Sequence, residues 1–266
     1  MSYTILADSL QIGKNVTIED GVRISGISGE PAHRIVIGDN VFIGHDSQIY
    51  LPELEIGDYT AIHNHTLISG HLECRIGSCC WFGQNCILNS TGGLHIGNGV
   101  GVGAYSQLWS HIRFGDILQG CRWDTQKPLI IEDDVWFVGH CVVSPIRAKS
   151  RSMAMVGSVV TKDMEENHVY AGCPARDVTE KLGFQYDDVS VDAKFEKLSR
   201  KLEEFYVLNP HFPRSIIVVK EWSDEHEHTD KTVFDVSDRT YTKRLTPEEV
   251  AFMKFLLVRI KFYPRK

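Results

Sequence analysis

An apolar residue returns at every sixth position through the middle of this chain. Ile37, Ile43 and Ile49 begin the series. Ile56, Ile62 and Ile68 follow, then Ile76, Phe82 and Leu88, then Ile96, Val102 and Leu108. Glycine often comes directly after the apolar residue, as in Ile12-Gly13, Ile37-Gly38, Ile56-Gly57, Ile76-Gly77 and Ile96-Gly97. One triplet leads to the next after 19 or 20 residues. An amphipathic helix needs apolar residues at i, i+3, i+4 and i+7, and this stretch lacks them. One inward residue per six describes a coil with three short sides, in which Gly, Asn and Asp suit the corners because they tolerate left-handed backbone. Backbone groups then pair from coil to coil at roughly 4.8 Å. The pattern predicts a mainly β chain built as a parallel solenoid.

The repeat weakens over residues 112–128 and resumes at Ile131, Phe137 and Val143. The interruption holds Arg113, Asp116, Arg122, Trp123, Asp124 and Lys127. It is expected to leave the solenoid as an extended loop, the kind of segment that carries function. After about Arg176 the character changes. Phe195, Leu198, Leu202 and Phe205 have helical spacing, which predicts a helix over 192–208. Strands are expected at 214–222 and 231–236. A further helix is expected to open on Thr246-Pro247 and run to about 262, with Thr as its cap and Pro in its first turn. The organisation read here is a β-helix domain over 1–181, with an active-site loop at about 111–128, and an α+β accessory domain over 182–266.

Composition narrows the function classes. A net charge of −7 over 266 residues argues against a nucleic-acid partner, which usually meets a basic stripe. No apolar run is long enough for a membrane span. The opening Met1-Ser2-Tyr3-Thr4 lacks the features of a secretion signal. Seven cysteines, an odd number without CxxC spacing, fit reduced thiols and a cytoplasmic location. The Glu225-His226-Glu227-His228 run reads as a solvated loop rather than a metal site.

Three segments carry a specific resemblance. They are Val135-Trp136-Phe137-Val138-Gly139-His140-Cys141-Val142-Val143, Gly157-Ser158-Val159-Val160-Thr161-Lys162-Asp163, and Ala171-Gly172-Cys173-Pro174-Ala175-Arg176. In this order and spacing they resemble the hexapeptide-repeat acyltransferase family, in its sugar and small-molecule acetyltransferase branch. The resemblance covers roughly residues 10–180. It implies a left-handed parallel β-helix and a homotrimer. It also implies acetyl-CoA bound between adjacent subunits and a sugar or nucleotide-sugar acceptor, in bacterial surface-polysaccharide synthesis. No metal is implied.

The family's catalytic histidine lies near the start of the loop, and the matching residue is His111. Histidine suits the task, because an acceptor hydroxyl or amine must lose its proton during attack on the thioester. Meeting of both substrates in one groove removes the need for a covalent intermediate. A backbone N–H near Gly139 would stabilise the developing oxyanion. An acid partner for His111 is open between Asp116 and Asp124, and His140 reads as structural. The resemblance places Lys162 and Arg176 near the CoA phosphates, as their charge suits. It also places Thr161, Gly139 and Val156 along the cofactor groove and Trp136 beside acceptor and pantetheine. Asn85 and Asn89 are candidate acceptor contacts.

Two departures stand out. The family usually reads Trp-Ile-Gly-x-Gly where this chain has Trp136-Phe137-Val138-Gly139-His140. Residues 146–152 replace an expected Gly-rich coil and fall one residue short, and Arg147, Lys149 and Arg151 there either grip phosphate or are solvated. Two other functions compete. The same solenoid serves γ-class carbonic anhydrases, which hold zinc with three histidines, and His45, His63, His65 and His71 lie on neighbouring coils. The third reading is a non-catalytic trimeric scaffold whose C-terminal appendage recruits a partner.

Overall fold

A computed structural model of the chain describes residues 2–226 and 229–265. The chain divides into two compact units, Met1–Tyr186 and Asp187–Lys266.

The first unit is a three-sided prism of stacked coils. Among the described residues its faces are sheets of seven, nine and eight strands. The six-residue repeat sets the three faces in chain order. The first face stacks Ile37, Ile56, Ile76, Ile96, Ile131 and Ala148 in parallel register. The second stacks Ile43, Ile62, Phe82, Val102, Phe137 and Ala154. The third stacks Ile49, Ile68, Leu88, Leu108, Val143 and Val160. None of these 18 side chains is more than 5% exposed, so the repeat is the core. Burying each large one contributes about 1.5–3 kcal/mol against the entropy of ordering the chain.

The corners use left-handed backbone. Asp46, His65, Asn85, Tyr105 and His140 occupy equivalent corners with φ of 58°, 58°, 58°, 61° and 51°. The coil containing residues 146–152 keeps the regular three-sided geometry despite its departure from the family's sequence pattern. Arg147–Ala148 joins the first face and Met153–Ala154 the second. Fewer residues separate Ile131 from Ala148 than separate earlier coils, and the inward positions shrink to Ala148 and Ala154, which a tighter coil can hold.

The interruption is a hairpin rather than an irregular loop. His111–Arg113 pairs antiparallel with Asp124–Gln126, with His111 opposite Gln126. The core column passes beneath it without a break, since Leu94–Ile96 pairs directly with Leu129–Ile131. Past the last coil, Val169–Gly172 pairs antiparallel with Ala175–Asp177. Asn167 then exchanges two bonds with the Tyr186 backbone, at 2.9 and 2.8 Å.

The second unit joins two helices to a four-stranded sheet. Its first helix is Val191–Leu208, capped by Ser190 Oγ, which accepts from the Ala193 N–H at 3.2 Å. The expected strands appear as Ile216–Val219 and Thr232–Asp235, and Thr240–Tyr241 and Tyr263–Pro264 complete the sheet. The helix opened by Thr246 and Pro247 stops at Leu256, about six residues before the expected end. Two interactions outcompete its continuation. Phe262 is buried against Phe234, ring centroids 5.0 Å apart, and Tyr263–Pro264 pairs with Thr240–Tyr241. None of the described helices is long and apolar enough to cross a membrane.

Candidate active site

His111 is the first residue of the hairpin and leaves the coil directly after Leu108-Trp109-Ser110. Its ring is half-buried and lies edge-on to Trp109, centroids 5.8 Å apart at 69°. Its Nδ1 sits 2.9 Å from Asn89 Oδ1. That oxygen is crowded: it also accepts from the Thr91 N–H at 3.0 Å and from Ser110 Oγ at 3.0 Å. A backbone N–H can only donate, so the Asn89 atom facing it must be the amide oxygen. His111 Nδ1 therefore carries the proton in the neutral ring, and Nε2 keeps its lone pair. Asn89 is 7% exposed, which makes the arrangement rigid as well as directional.

Neither aspartate considered as partner reaches His111. Asp116 turns inward on the hairpin tip, where its Oδ1 accepts from the N–H groups of Leu118 and Gln119. Asp124 takes a two-pronged bond from Arg113, at 2.7 and 3.4 Å. That bond raises the Arg113 pKa and lowers that of Asp124, so the pair is charged and committed to itself. Arg113 also donates to Gln126 Oε1 at 2.9 Å, and Gln126 Nε2 donates to the Thr91 carbonyl at 2.9 Å. The hairpin base is thus tied to the Asn89-Ser90-Thr91 corner that holds His111. Spacing along the chain does not reveal this partner, because Asn89 and His111 are 22 residues apart. The stacking of Leu88 on Leu108 does, since it brings the next residues of the two coils together.

The other predicted residues divide between edges of the prism. Thr161 and Lys162 follow Val159–Val160 on the edge from the third face to the first, the edge that carries His111. Gly139 and Val156 lie on the edge from the second face to the third. Trp136 is on the outer side of the second face, 44% exposed, with its indole over Gly101, where an added Cβ would stand 3.0 Å from the ring. Arg176 is exposed on the terminal Ala175–Asp177 strand. Within one chain, His111 and Asn89 are brought together, and Gly139, Val156, Trp136 and Arg176 are on other parts of the prism. Asn85 occupies its left-handed corner between the second and third faces, away from His111.

The basic residues of the shortened coil have protein partners. Arg147 pairs with Glu132 at 2.5 Å, Lys149 with Glu165 at 2.6 Å, and Arg151 lies over the Tyr186 ring at 5.7 Å. His140 stacks on Tyr105, centroids 5.0 Å apart at 13°. Of the four histidines weighed as zinc ligands, His45 and His65 meet, ring centroids 4.9 Å apart, and the other two have separate surroundings. His63 packs between Phe42 and Trp81, at 5.5 and 5.2 Å, and its desolvation lowers its pKa despite the opposing charge of Glu19. His71 is exposed on another corner. In the second unit His226 closes a short turn through Ser223, while Glu227 and His228 lie outside the described residues.

No family model matches the chain. Curated proteins resemble part of it, among them two bifunctional proteins. The bifunctional protein GlmU of Baumannia cicadellinicola subsp. Homalodisca coagulata is 43% identical over 61 residues, which cover 23% of this chain and 13% of that protein. The bifunctional protein GlmU of Methylococcus capsulatus is 26% identical over 188 residues, covering 62% of this chain and 38% of that protein. The chain therefore spans well under half the length of these relatives. Among solved structures, a variant of AntD, an N-acyltransferase from Bacillus cereus in complex with dTDP-4-amino-4,6-dideoxyglucose and coenzyme A, is 16% identical. That match covers 73% of this chain and 91% of AntD, with a TM-score of 0.46.

Proposed function

We propose that this chain, a left-handed parallel β-helix of the hexapeptide-repeat kind, is an acetyltransferase that uses acetyl-CoA and acetylates a hydroxyl or amine of a sugar. The observation that carries this reading is His111, whose Nδ1–H is held by Asn89 so that Nε2 is the free base. In the reaction Nε2 takes the acceptor proton as the acceptor oxygen or nitrogen attacks the thioester carbonyl. The tetrahedral species then collapses, and the departing thiolate receives the proton from the imidazolium.

The residues proposed to line the groove suit the two substrates. The Gly139 N–H has no acceptor among the described residues, whereas the neighbouring His140 N–H is taken by the Ala104 carbonyl at 2.9 Å. A free N–H of this kind is what an oxyanion needs. Val156 is 62% exposed and Trp136 44%, a surface that fits the apolar arm of coenzyme A. Lys162 and Arg176 supply charge for its phosphates. Because Gly139, Val156 and Trp136 lie away from the edge that carries His111 and Lys162, a groove that contains them all takes two chains. A homotrimer is the assembly proposed. Seven free thiols suit a cytoplasmic enzyme, and surface-polysaccharide synthesis is the proposed setting. Residues 1–181 then form the transferase domain and 182–266 the accessory domain.

The test is thiol release from acetyl-CoA across a panel of free and nucleotide-linked sugars, with wild type and His111→Ala. The substitution should lower turnover by at least ~100-fold, the usual scale for a lost general base. Near-wild-type turnover in His111→Ala would refute the assignment.

A further inference from the structure

We infer that His45, Asp46 and His65 form a divalent-cation site of the zinc type, separate from the proposed transfer site. Asp46 Oδ2 lies 3.0 Å from His45 Nδ1 and 4.0 Å from His65 Nδ1. The three donor atoms fall within 4.8 Å of one another, so one ion can touch them all. The two rings meet edge to face, centroids 4.9 Å apart at 87°. Two imidazoles and one carboxylate suit zinc and its first-row neighbours, whereas calcium and magnesium select all-oxygen sets. Three protein donors leave room for water, so the ion would bind at an open site.

The backbone presents these donors in a fixed way. Asp46 and His65 hold the left-handed corner of consecutive coils, and the His65 N–H donates to the His45 carbonyl at 3.0 Å. The Asp46 N–H donates to the Asp20 carbonyl at 3.0 Å. The Asp46 carboxylate leans over the preceding corner at Gly21, where a Cβ would collide with its Oδ1. Glu19 accepts the His45 N–H at 3.0 Å, adding negative charge beside the site. The donors sit between the second and third faces, on coils well before the one bearing His111. An ion here would staple two neighbouring coils and raise the melting temperature by mass action.

The experiment uses the full chain without an affinity tag, stripped with chelator and titrated with Zn2+ alone by calorimetry. The expected result is one saturable site per chain and a higher melting temperature with Zn2+. His45→Ala and His65→Asn should each weaken binding by at least about 10-fold, a loss that even outer-shell changes can cause. Asn at 65 keeps the left-handed corner that Ala would strain. His226→Ala and Cys173→Ser serve as controls and should leave binding unchanged. The inference is overturned if Zn2+ does not saturate, or if binding survives both site substitutions. It is equally overturned if binding disappears with either control.

Discussion

Removing the Asn89 side chain separates two jobs that one oxygen performs. Asn89→Ala leaves the Thr91 N–H, the Ser110 hydroxyl and His111 Nδ1–H without their shared acceptor. The part-buried Thr91 N–H and the half-buried imidazole can find water, so the main loss is the acceptor of the fully buried Ser110 hydroxyl. An orphaned buried donor costs about 1–3 kcal/mol, and urea unfolding should show a loss of about 2 kcal/mol. The effect on transfer has a different origin. If both tautomers of His111 became equally populated, the active fraction would fall by only about half. The larger loss comes from a ring no longer aimed, where a small misplacement costs up to ~100-fold. We expect kcat/KM to fall ~10–100-fold, with the KM for acetyl-CoA little changed. Asn89→Asp is the discriminating variant. Its carboxylate can accept the same three bonds, so stability should stay within about 1 kcal/mol of wild type. Its charge favours the imidazolium. Activity needs the neutral ring, so the acid limb of the kcat/KM profile should move to higher pH. An unmoved acid limb in Asn89→Asp, or wild-type rates in Asn89→Ala, would show that Asn89 does not orient the base.

Two further predictions test the frame around the site. Phe137 is fully buried in the second column and its neighbour Trp136 is 44% exposed on the other side of the same strand. Phe137→Ala should cost about 3–5 kcal/mol in urea unfolding, while Trp136→Ala should leave stability within about 1 kcal/mol and raise the KM for acetyl-CoA. Asp177 behaves as a depressed carboxylate: burial opposes its charge, but hydrogen bonds from Thr179 and His168 outweigh this and hold its pKa at about 2, down from 3.8. Its stabilising effect is therefore present above pH 3.8 and is lost as pH falls through about 2. With its side chain 41% exposed, Asp177→Asn should cost at most about 1 kcal/mol at neutral pH, and the gap from wild type should close across that window in pH-dependent unfolding.

The columns of the prism were legible from the sequence because a coil with three sides leaves no choice about which residue points inward. Ile37, Ile56 and Ile76 were separable from their neighbours by spacing alone, and they stack in the expected register. The second unit was less legible where a local pattern met tertiary competition. Helical spacing continued past Leu256, but the Phe262 contact and the Tyr263–Pro264 pairing ended the helix.

The candidate site was legible in one residue and obscure in its support. His111 stood out through the family resemblance, which puts the catalytic histidine near the start of the segment where the repeat breaks. Its partner did not, because the usual expectation of an acid near a catalytic histidine drew the reading to Asp116 and Asp124 within the hairpin. The hairpin satisfies its own charges through Arg113 and Asp124 and through the Asp116 turn, so neither aspartate turns to the ring. A neutral amide is the better orienter at this corner. A carboxylate would fix the same tautomer but would also favour the charged imidazolium. Asn89 supplies direction without charge, and the solenoid supplies Asn89, since each coil presents its corner residues to the next at one strand spacing. The break in the repeat marks where the proposed base sits; the unbroken repeat beneath it is what aims it.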